Sequence, residues 1–240
     1  IEFRSVSFEY NEEAKMKISD VNLIINPYEF VALVGPSGAG KSTYVDLLFG
    51  LIQPKDGEVL INGLPSRVAL SVWQGQFGYV PQNVVIHKGT IISNLLLGLE
   101  RNLESEQKAI SLLKMVNLYE DIMELEHGLD SYLDERGGNL SGGQRQRLGI
   151  ARALMTDPKI LVMDESTSML DATSENIITK AIHELREKVT LIVIAHRLST
   201  VRSAQRLIYI NDGKVLAEGT FESLREKVVD FDLQAKLMGF

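Results

Sequence analysis

The N-terminal third of the chain alternates between short apolar runs and polar turns, a pattern typical of β-strands. Apolar residues recur every two or three positions between Phe3 and Phe8 and again between Ile18 and Ile25, which predicts two antiparallel strands. The run from Glu29 to Val34 is almost entirely apolar, so it is predicted to be a buried strand. The other segments predicted here are a helix at about Lys41–Phe49 and strands at Gly57–Ile61 and Gln76–Val80.

From about Asn83 to Thr156 the apolar residues are spaced by three or four positions, the spacing found on one face of a helix. Ile91 and Leu95 form one such pair, and Ala109 and Leu112 form another. The pattern predicts several amphipathic helices. We interpret residues 83–156 as an inserted α-helical subdomain.

Strand-like and helix-like segments alternate in the last third of the chain, which is typical of a parallel sheet covered by helices. The predicted strands are Ile160–Met163, Thr190–Ala195, Arg206–Ile210 and Lys214–Ala217, the last two joined by a hairpin turn at Asn211-Asp212-Gly213-Lys214. The predicted helices are Ala172–Glu187, Leu198–Ser203 and much of the remainder to Phe240. The chain is therefore expected to be one α/β domain over residues 1–240. Its core would comprise residues 1–82 and 157–240, with a mostly parallel sheet and an antiparallel β subdomain at the N-terminus.

The charge balance argues against nucleic acid as a partner. There are 25 Lys and Arg against 32 Asp and Glu, a net charge of −7, and a phosphate backbone repels an acidic chain. The absence of Cys excludes disulfides and thiolate metal sites. The longest apolar stretches, such as Phe30–Val34, are far shorter than the ~18 residues that cross a bilayer. Because the chain begins at Ile1, we expect it to be a piece of a longer polypeptide.

A phosphate-binding loop follows the buried strand that ends at Val34. The sequence GPSGAGKST fits the pattern G-x-x-x-x-G-K-[ST], in which backbone amides and the following helix N-terminus hold phosphate oxygens. Lys41 is expected to contact the β- and γ-phosphates of a nucleotide, Ser42 to bind Mg²⁺ and Thr43 to contact the α-phosphate. The residues of this loop are Gly35, Pro36, Ser37, Gly38, Ala39, Gly40, Lys41, Ser42 and Thr43.

Two acidic residues follow the apolar strand Ile160–Met163. Asp164 would lie at the carboxyl edge of the sheet, where ligands of open α/β folds collect, and it is expected to hold Mg²⁺. Glu165 comes next. Taken alone, the two could be an ordinary surface acid pair, but the phosphate loop favours a catalytic interpretation.

The segment Ser141–Gln144 has the form of a helix start. Ser141 is predicted as the N-cap, and Gln144 stands at the capping-box position three residues later. The alternative interpretation is an ordinary capped helix with no binding role. The full string from Asn139 to Arg147, NLSGGQRQR, lies between the phosphate loop and LVMDE at Leu161–Glu165, and in this arrangement the chain resembles the ATP-binding cassette of membrane transporters over nearly its whole length.

The resemblance implies a P-loop NTPase with a RecA-like core, MgATP as its cofactor and a second cassette as its partner. It implies that Glu165 orients or deprotonates the attacking water. It also implies that the signature residues bind the γ-phosphate of ATP held by the opposing subunit. These signature residues are Ser141, Gly142, Gly143 and Gln144.

Four more residues match the family pattern. Tyr10 matches the aromatic residue that stacks on adenine, and Gln82 matches the glutamine that reaches Mg²⁺ and the attacking water. Asp171 matches a loop near the dimer seam, although Met169 stands where a small residue is usual, and His196 matches the histidine that contacts the γ-phosphate. Without the family resemblance, each would be interpreted as an ordinary edge, loop, turn or structural residue.

Two segments resemble exporter-type cassettes in particular. These are Thr90–Leu95 and the stretch Asp134–Gly137, in which Asp134 replaces the usual Gly. The resemblance implies a transmembrane domain fused on the N-terminal side and a location on the cytoplasmic face of a membrane, with the bacterial inner membrane favoured.

Two alternatives stay open. One is a soluble cassette ATPase that acts on ribosomes or DNA, and the other is the separately encoded ATPase of an importer. The cargo (a lipid-linked sugar, a lipid, a peptide or a drug) and the choice between homodimer and heterodimer are also open.

Overall fold

The computed structural model describes residues 1–11, 17–134, 140–164, 172–195 and 198–237. In these ranges no helix combines the length and the apolar character needed to cross a membrane. In chain order the elements are β1 (Glu2–Glu9), β2 (Lys17–Ile24), β3 (Phe30–Val34), α1 (Lys41–Leu48), β4 (Asp56–Ile61), β5 (Leu64–Pro65), α2 (Ser66–Val72), β6 (Phe77–Val80), β7 (Gly89–Thr90), α3 (Ile91–Leu96), α4 (Leu103–Met115), α5 (Tyr119–Met123), a 3₁₀ turn (Gly128–Asp130), β8 (Tyr132–Leu133), α6 (Gly142–Leu154), β9 (Ile160–Asp164), α7 (Ala172–Leu185), β10 (Thr190–Ile194), α8 (Leu198–Ser203), β11 (Arg206–Asn211), β12 (Lys214–Gly219), α9 (Phe221–Lys227) and α10 (Val229–Leu237).

A six-stranded sheet forms the centre of the molecule, with the strand order β12-β11-β3-β10-β9-β6. The strands β11, β3, β10, β9 and β6 are parallel, and only β12 runs antiparallel at the edge. A second sheet is antiparallel, with the order β2-β1-β4-β5. The predicted α/β class, with a mostly parallel sheet and an antiparallel β subdomain, is confirmed.

The central strand β3 is buried along its whole length because both faces of the sheet are covered. Phe30, Ala32 and Val34 pack into a hydrophobic cluster with residues of α3, α4 and α6. Val31 and Leu33 point the other way, into a cluster with the antiparallel sheet and α1. This two-sided packing holds the carboxyl end of β3 at a defined position, and the phosphate loop begins there.

Between β6 and β9 the chain forms α3, α4, α5 and α6, as the apolar spacing predicts. The ends of these helices follow from local chemistry. Thr90 caps α3 by accepting from the amide of Ser93 at 3.2 Å, and Asn102 and Ser105 form a capping box on α4. This stretch is not purely helical, because Gly89–Thr90 pairs with Tyr132–Leu133 in a two-stranded sheet that the helical spacing does not reveal.

Most predicted elements agree with the structure to within one or two residues. The predicted helix at Lys41–Phe49 ends at Leu48, and the strand at Lys214–Ala217 extends to Gly219. The hairpin turn before that strand is confirmed, with positive φ at both Asp212 and Gly213. Helix α2 was missed, because its only buried residues are Ser66 and Ala69 and it lacks an apolar stripe.

Candidate nucleotide-binding site

The carboxyl ends of the parallel strands meet at one edge of the six-stranded sheet. The register pairs Ile194 of β10 with Leu33 of β3 and with Asp164 of β9, while Val80 of β6 pairs with Met163 of β9. The phosphate loop, the loop after β6 and the end of β9 therefore emerge side by side. Ligands of open α/β sheets collect at this edge.

The phosphate loop approaches β11 so closely that its first residue must be glycine. Gly35 has a φ of 143°, and a Cβ at this position would overlap the backbone carbonyl oxygen of Ile210. At its other end the loop leads through Gly40 into α1, which has no side-chain cap. The first amides of α1 are therefore available to phosphate oxygens, and the positive end of the helix favours an anion there.

The hairpin turn between β11 and β12 supports the phosphate loop. The amide of Gly213 donates to the carbonyl oxygen of Ala39 at 2.9 Å, and the hydroxyl of Tyr44 donates to the carbonyl oxygen of Gly213 at 3.0 Å. Burial raises the pKa of Tyr44, so its hydroxyl stays a neutral donor at physiological pH. These bonds join the loop to an element that follows it by some 170 residues in sequence.

Lys41 folds back over the phosphate loop. Its Nζ donates to the carbonyl oxygens of Gly35 and Pro36, at 2.8 and 2.9 Å, and the residue is only 6% exposed. Burial lowers the pKa of Lys41, while the negative charge of Asp164 acts in the opposite direction. The ammonium group of the phosphate loop and the carboxylate that ends β9 therefore interact electrostatically at the edge of the sheet.

An aromatic residue from the antiparallel sheet reaches the same loop. Tyr10 directly follows β1, and its hydroxyl lies 3.4 Å from Oγ1 of Thr43. The Tyr10 ring contacts Phe8 edge-on at 4.9 Å and is 57% exposed. This arrangement presents an open aromatic face beside the phosphate loop, which is suited to stacking on a flat ring.

The residues expected to hold Mg²⁺ supply oxygen ligands of the kind that this ion prefers. Ser42 and Gln82 are exposed, and Asp164 is half-buried. Gln82 stands two residues beyond β6, which pairs with β9, so it emerges next to Asp164 at the same edge. A hydroxyl, an amide oxygen and a carboxylate at one edge fit a magnesium ion bound together with phosphate oxygens.

The signature segment forms the start of α6, as predicted. Ser141 caps the helix by accepting from the amide of Gln144 at 3.2 Å, and the Gln144 side chain accepts in return from the Ser141 amide at 2.8 Å. Gln144 also donates to the carboxylate of Asp121 in α5 at 3.1 Å. These bonds fix the helix N-terminus, where the amides of Gly142 and Gly143 belong to the first turn.

Three of the predicted site residues lie outside the described ranges. They are Glu165, Asp171 and His196. Of the exporter-like stretch, Glu135, Arg136 and Gly137 also lie outside these ranges.

Sequence reasoning missed a polar pair beside the loop after β6, formed by the buried Asn94 and the partly buried Arg152. Asn94 in α3 is 1% exposed, and Arg152 in α6 donates to its side-chain oxygen at 3.2 Å and to its backbone oxygen at 2.8 Å. The available signal was weak. A polar residue among the apolar positions of each helix suggests a buried hydrogen-bond partner but does not say which residue it is.

Comparison with known proteins identifies the family to which the chain belongs. The family model described as ABC transporter matches residues 18–168, more than half of the chain. An ATP-dependent lipid A-core flippase from Hahella chejuensis is 40% identical over 228 residues, which cover 95% of this chain and 39% of the flippase. The alpha-hemolysin translocation ATP-binding protein HlyB from Escherichia coli O157:H7 is also 40% identical over 228 residues, covering 95% of this chain and 32% of that protein.

The fold matches that of a bacterial Atm1-family ABC exporter solved with ATP bound. The TM-score is 0.88 at 32% identity, and the match covers all of this chain and 42% of the exporter chain. The chain thus spans well under half the length of these relatives. It belongs to the ABC transporter family, and its fold is that of the family's ATPase domain.

Proposed function

We propose that this chain is the ATP-hydrolysing domain of an exporter, in which two such domains close around two MgATP molecules. Lys41 contacts the β- and γ-phosphates, Tyr10 stacks on adenine and Thr43 contacts the α-phosphate. Glu165 deprotonates or orients the attacking water, and His196 contacts the γ-phosphate. Hydrolysis is then phosphoryl transfer to water, driven by positioning and charge stabilisation.

The position of Lys41 carries this proposal. Its ammonium is held at the phosphate loop by two carbonyl oxygens, beside the half-buried Asp164. Ser42, Gln82 and Asp164 would hold Mg²⁺, which when bound neutralises phosphate charge. The Lys41 ammonium can exchange the carbonyl oxygens for phosphate oxygens.

We further propose that each site is shared between two cassettes. The first amides of α6 have no carbonyl acceptor within the helix. In the closed dimer, Ser141, Gly142, Gly143 and Gln144 bind the γ-phosphate of the nucleotide in the partner cassette. The family resemblance implies that Asp171 contributes to the same seam.

We propose that the domain works with a transmembrane part at the cytoplasmic face of a membrane, the bacterial inner membrane being favoured. The similar proteins are named as a flippase, a translocation protein and an exporter, all of which move material across membranes. A transmembrane part on the N-terminal side of the same polypeptide is the arrangement that we favour. No observation favours a role on ribosomes or DNA.

The first experiment measures phosphate release from MgATP by the purified chain. We expect Lys41→Ala to lower kcat by about a hundredfold, because it removes a cation from the transferred phosphate. Lys159→Ala is the matched control, since Lys159 is an exposed lysine that precedes β9 at the opposite edge of the sheet. It should retain the wild-type rate.

The second experiment tests the role of Glu165. With saturating MgATP, Glu165→Gln should elute from a sizing column as a dimer and turn over little ATP. A monomeric Glu165→Gln variant with normal hydrolysis would exclude Glu165 as the catalytic base.

A further inference from the structure

The segment that follows Gln82 lies directly on the signature helix α6. A Cβ on Gly149, in the middle of α6, would come within 2.5 Å of Cγ2 of Val84. Glycine is unfavourable inside a helix by about 1 kcal/mol relative to alanine. Gly149 thus gives up helix stability for close contact with a residue only two positions beyond Gln82.

One turn further along the same helix, Arg152 holds this segment with its guanidinium. Nη1 donates to the carbonyl oxygen of Val85 at 2.7 Å, and Nε donates to the carbonyl oxygen of Asn94 at 2.8 Å. Nη2 donates to Oδ1 of Asn94 at 3.2 Å. Within the described part of the chain no carboxylate pairs with Arg152, so its planar fork is used to join backbone oxygens of two segments.

Asn94 completes the contact from the third side. Its Oδ1 accepts from the amide of His87 at 2.8 Å, and its Nδ2 donates to the carbonyl oxygens of His87 and Thr90 at 2.8 and 3.0 Å. Every polar atom of this buried side chain is therefore bonded. A fully satisfied buried network of this kind is rigid.

These contacts make one body of α6, α3 and the segment Val84–His87. The N-terminus of α6 carries Ser141, and the helix is 13 residues long, which is about 20 Å. A displacement of the signature end of α6 is therefore carried to the residues just after Gln82. The chain between Val80, the last residue of β6, and Val84 must then change conformation, because β6 stays with the central sheet while Val84 moves with α6.

We propose that Arg152 is a positioning residue for Gln82: with Asn94 and Gly149 it latches the Gln82 loop to the signature helix, so that engagement of the signature by the partner cassette sets the place of Gln82 at the magnesium site. This inference rests on the proposed function, because it assumes that Gln82 acts in hydrolysis. The latch itself is a structural claim that does not need ATP hydrolysis.

Hydrogen exchange of the 240-residue chain tests the latch directly. In Arg152→Met the amides of residues 84–90 should exchange at least about tenfold faster, because the bonds that hold this segment are lost. Arg147→Met is the matched control. Arg147 also lies on α6 and is buried, but it bonds to the carbonyl oxygen of Asn117 and to Asp121, so its loss should leave exchange in residues 84–90 unchanged.

Gly149→Ala is a second route to the same result. It displaces Val84 without touching the guanidinium of Arg152, and it should also speed exchange in residues 84–90. If both Arg152→Met and Gly149→Ala leave exchange in this segment at the wild-type rate, the latch does not exist.

A double-mutant cycle on hydrolysis tests whether the latch acts through Gln82. We expect Arg152→Met and Gln82→Ala each to lower kcat by about tenfold with the KM for ATP nearly unchanged, because the nucleotide contacts of Lys41 and Tyr10 lie on other elements. The double variant should be no slower than Gln82→Ala alone. Arg152→Lys should recover part of the rate, since one ammonium replaces only part of the fork.

The outcomes separate the two levels of inference. Fully additive losses in the cycle would overturn the positioning role and leave Arg152 as a stabilising residue. If the wild-type chain hydrolyses no MgATP, the proposed function fails, and the exchange measurement still decides whether the latch exists.

Discussion

At the residue scale, Tyr28 carries backbone strain. It stands third in the turn Asn26–Glu29, in which the amide of Glu29 donates to the carbonyl oxygen of Asn26 at 3.3 Å. Its φ is 61°, in the left-handed region, where this turn position normally requires glycine. The amide of Tyr28 donates to Oγ1 of Thr190 at 2.9 Å, which helps to hold the conformation. Tyr28 is half-exposed.

We therefore expect Tyr28→Gly to be more stable than Tyr28→Ala by about 1 kcal/mol, because alanine retains the left-handed strain and glycine does not. Urea unfolding measures the difference, followed by the fluorescence of Trp73, the only tryptophan of the chain. Both variants lack the ring and keep the hydrogen bond from the backbone amide of residue 28 to Oγ1 of Thr190. The difference in stability between them therefore reports the cost of the left-handed backbone conformation. Equal stability would mean that the turn relaxes without cost.

At the element scale, the apolar spacing of the first two strands reflects bulges. Phe3, Val6 and Phe8 are separated by three and then two positions, and the register of β1 with β2 shifts at both intervals. Ser5 has a φ of 45° within the first shift. The extra residue after Phe3 returns the next apolar side chain, Val6, to the inner face, where Val6 pairs with Val21 across the strands.

A charge cluster joins the ends of these strands. Glu9 of β1 accepts from Lys17 of β2 at 2.7 Å and from Lys55, just before β4, at 2.6 Å. Hydrogen bonds from Lys17 and then Lys55 lower the pKa of Glu9 from its ordinary 4.5 to about 2. A lowered carboxyl pKa stabilises the fold above the unfolded value, and this contribution disappears as the pH falls from 4.5 through 2.

The wild-type chain should therefore be more stable than Glu9→Gln near neutral pH, and the two should converge between pH 4.5 and pH 2. Denaturant midpoints at a series of pH values check this. The difference at neutral pH should also shrink in high salt, because both lysines are exposed and the cluster is screened. A difference that is independent of pH would show that charge is not its source.

At the scale of the whole molecule, the sheet order assembles a site from distant parts of the chain. Lys41, Gln82 and Asp164 reach one edge because β3, β10, β9 and β6 are parallel and in register. Tyr10 reaches the same loop from the antiparallel sheet, with its hydroxyl 3.4 Å from Oγ1 of Thr43. The signature belongs to α6, on the helical side of the domain. A site shared between two copies would combine the sheet edge of one copy with the signature helix α6 of the other.

Mixing two inactive variants tests this arrangement. Lys41→Ala disables the phosphate loop and Ser141→Arg blocks the signature, so each variant alone should hydrolyse MgATP only very slowly. In the mixed dimer one of the two sites contains neither change. An equal mixture should thus regain about a quarter of the wild-type rate, since half of the dimers are mixed and each has one intact site of two. No recovery, with dimers detected, would contradict sharing.

The sequence alone determined the features whose causes are local. The phosphate loop, the Ser141 cap, the turn at Asp212-Gly213 and the fully apolar β3 each depend on a few adjacent residues with strong conformational preferences. The family resemblance depends on contiguous motifs, so it could also be recognised from the sequence. The roles of Glu165, Asp171 and His196 remain predictions that the described residues do not test.

Only the tertiary structure decided which distant segments meet. The strand order, the two-residue pairing of β7 with β8 and the grip of Arg152 on Val85 join residues that are far apart in sequence. Periodicity reports which face of an element is buried and contains no information about what covers it. The partner is selected by packing of the whole chain, and for that reason the latch beside Gln82 became visible only in the folded molecule.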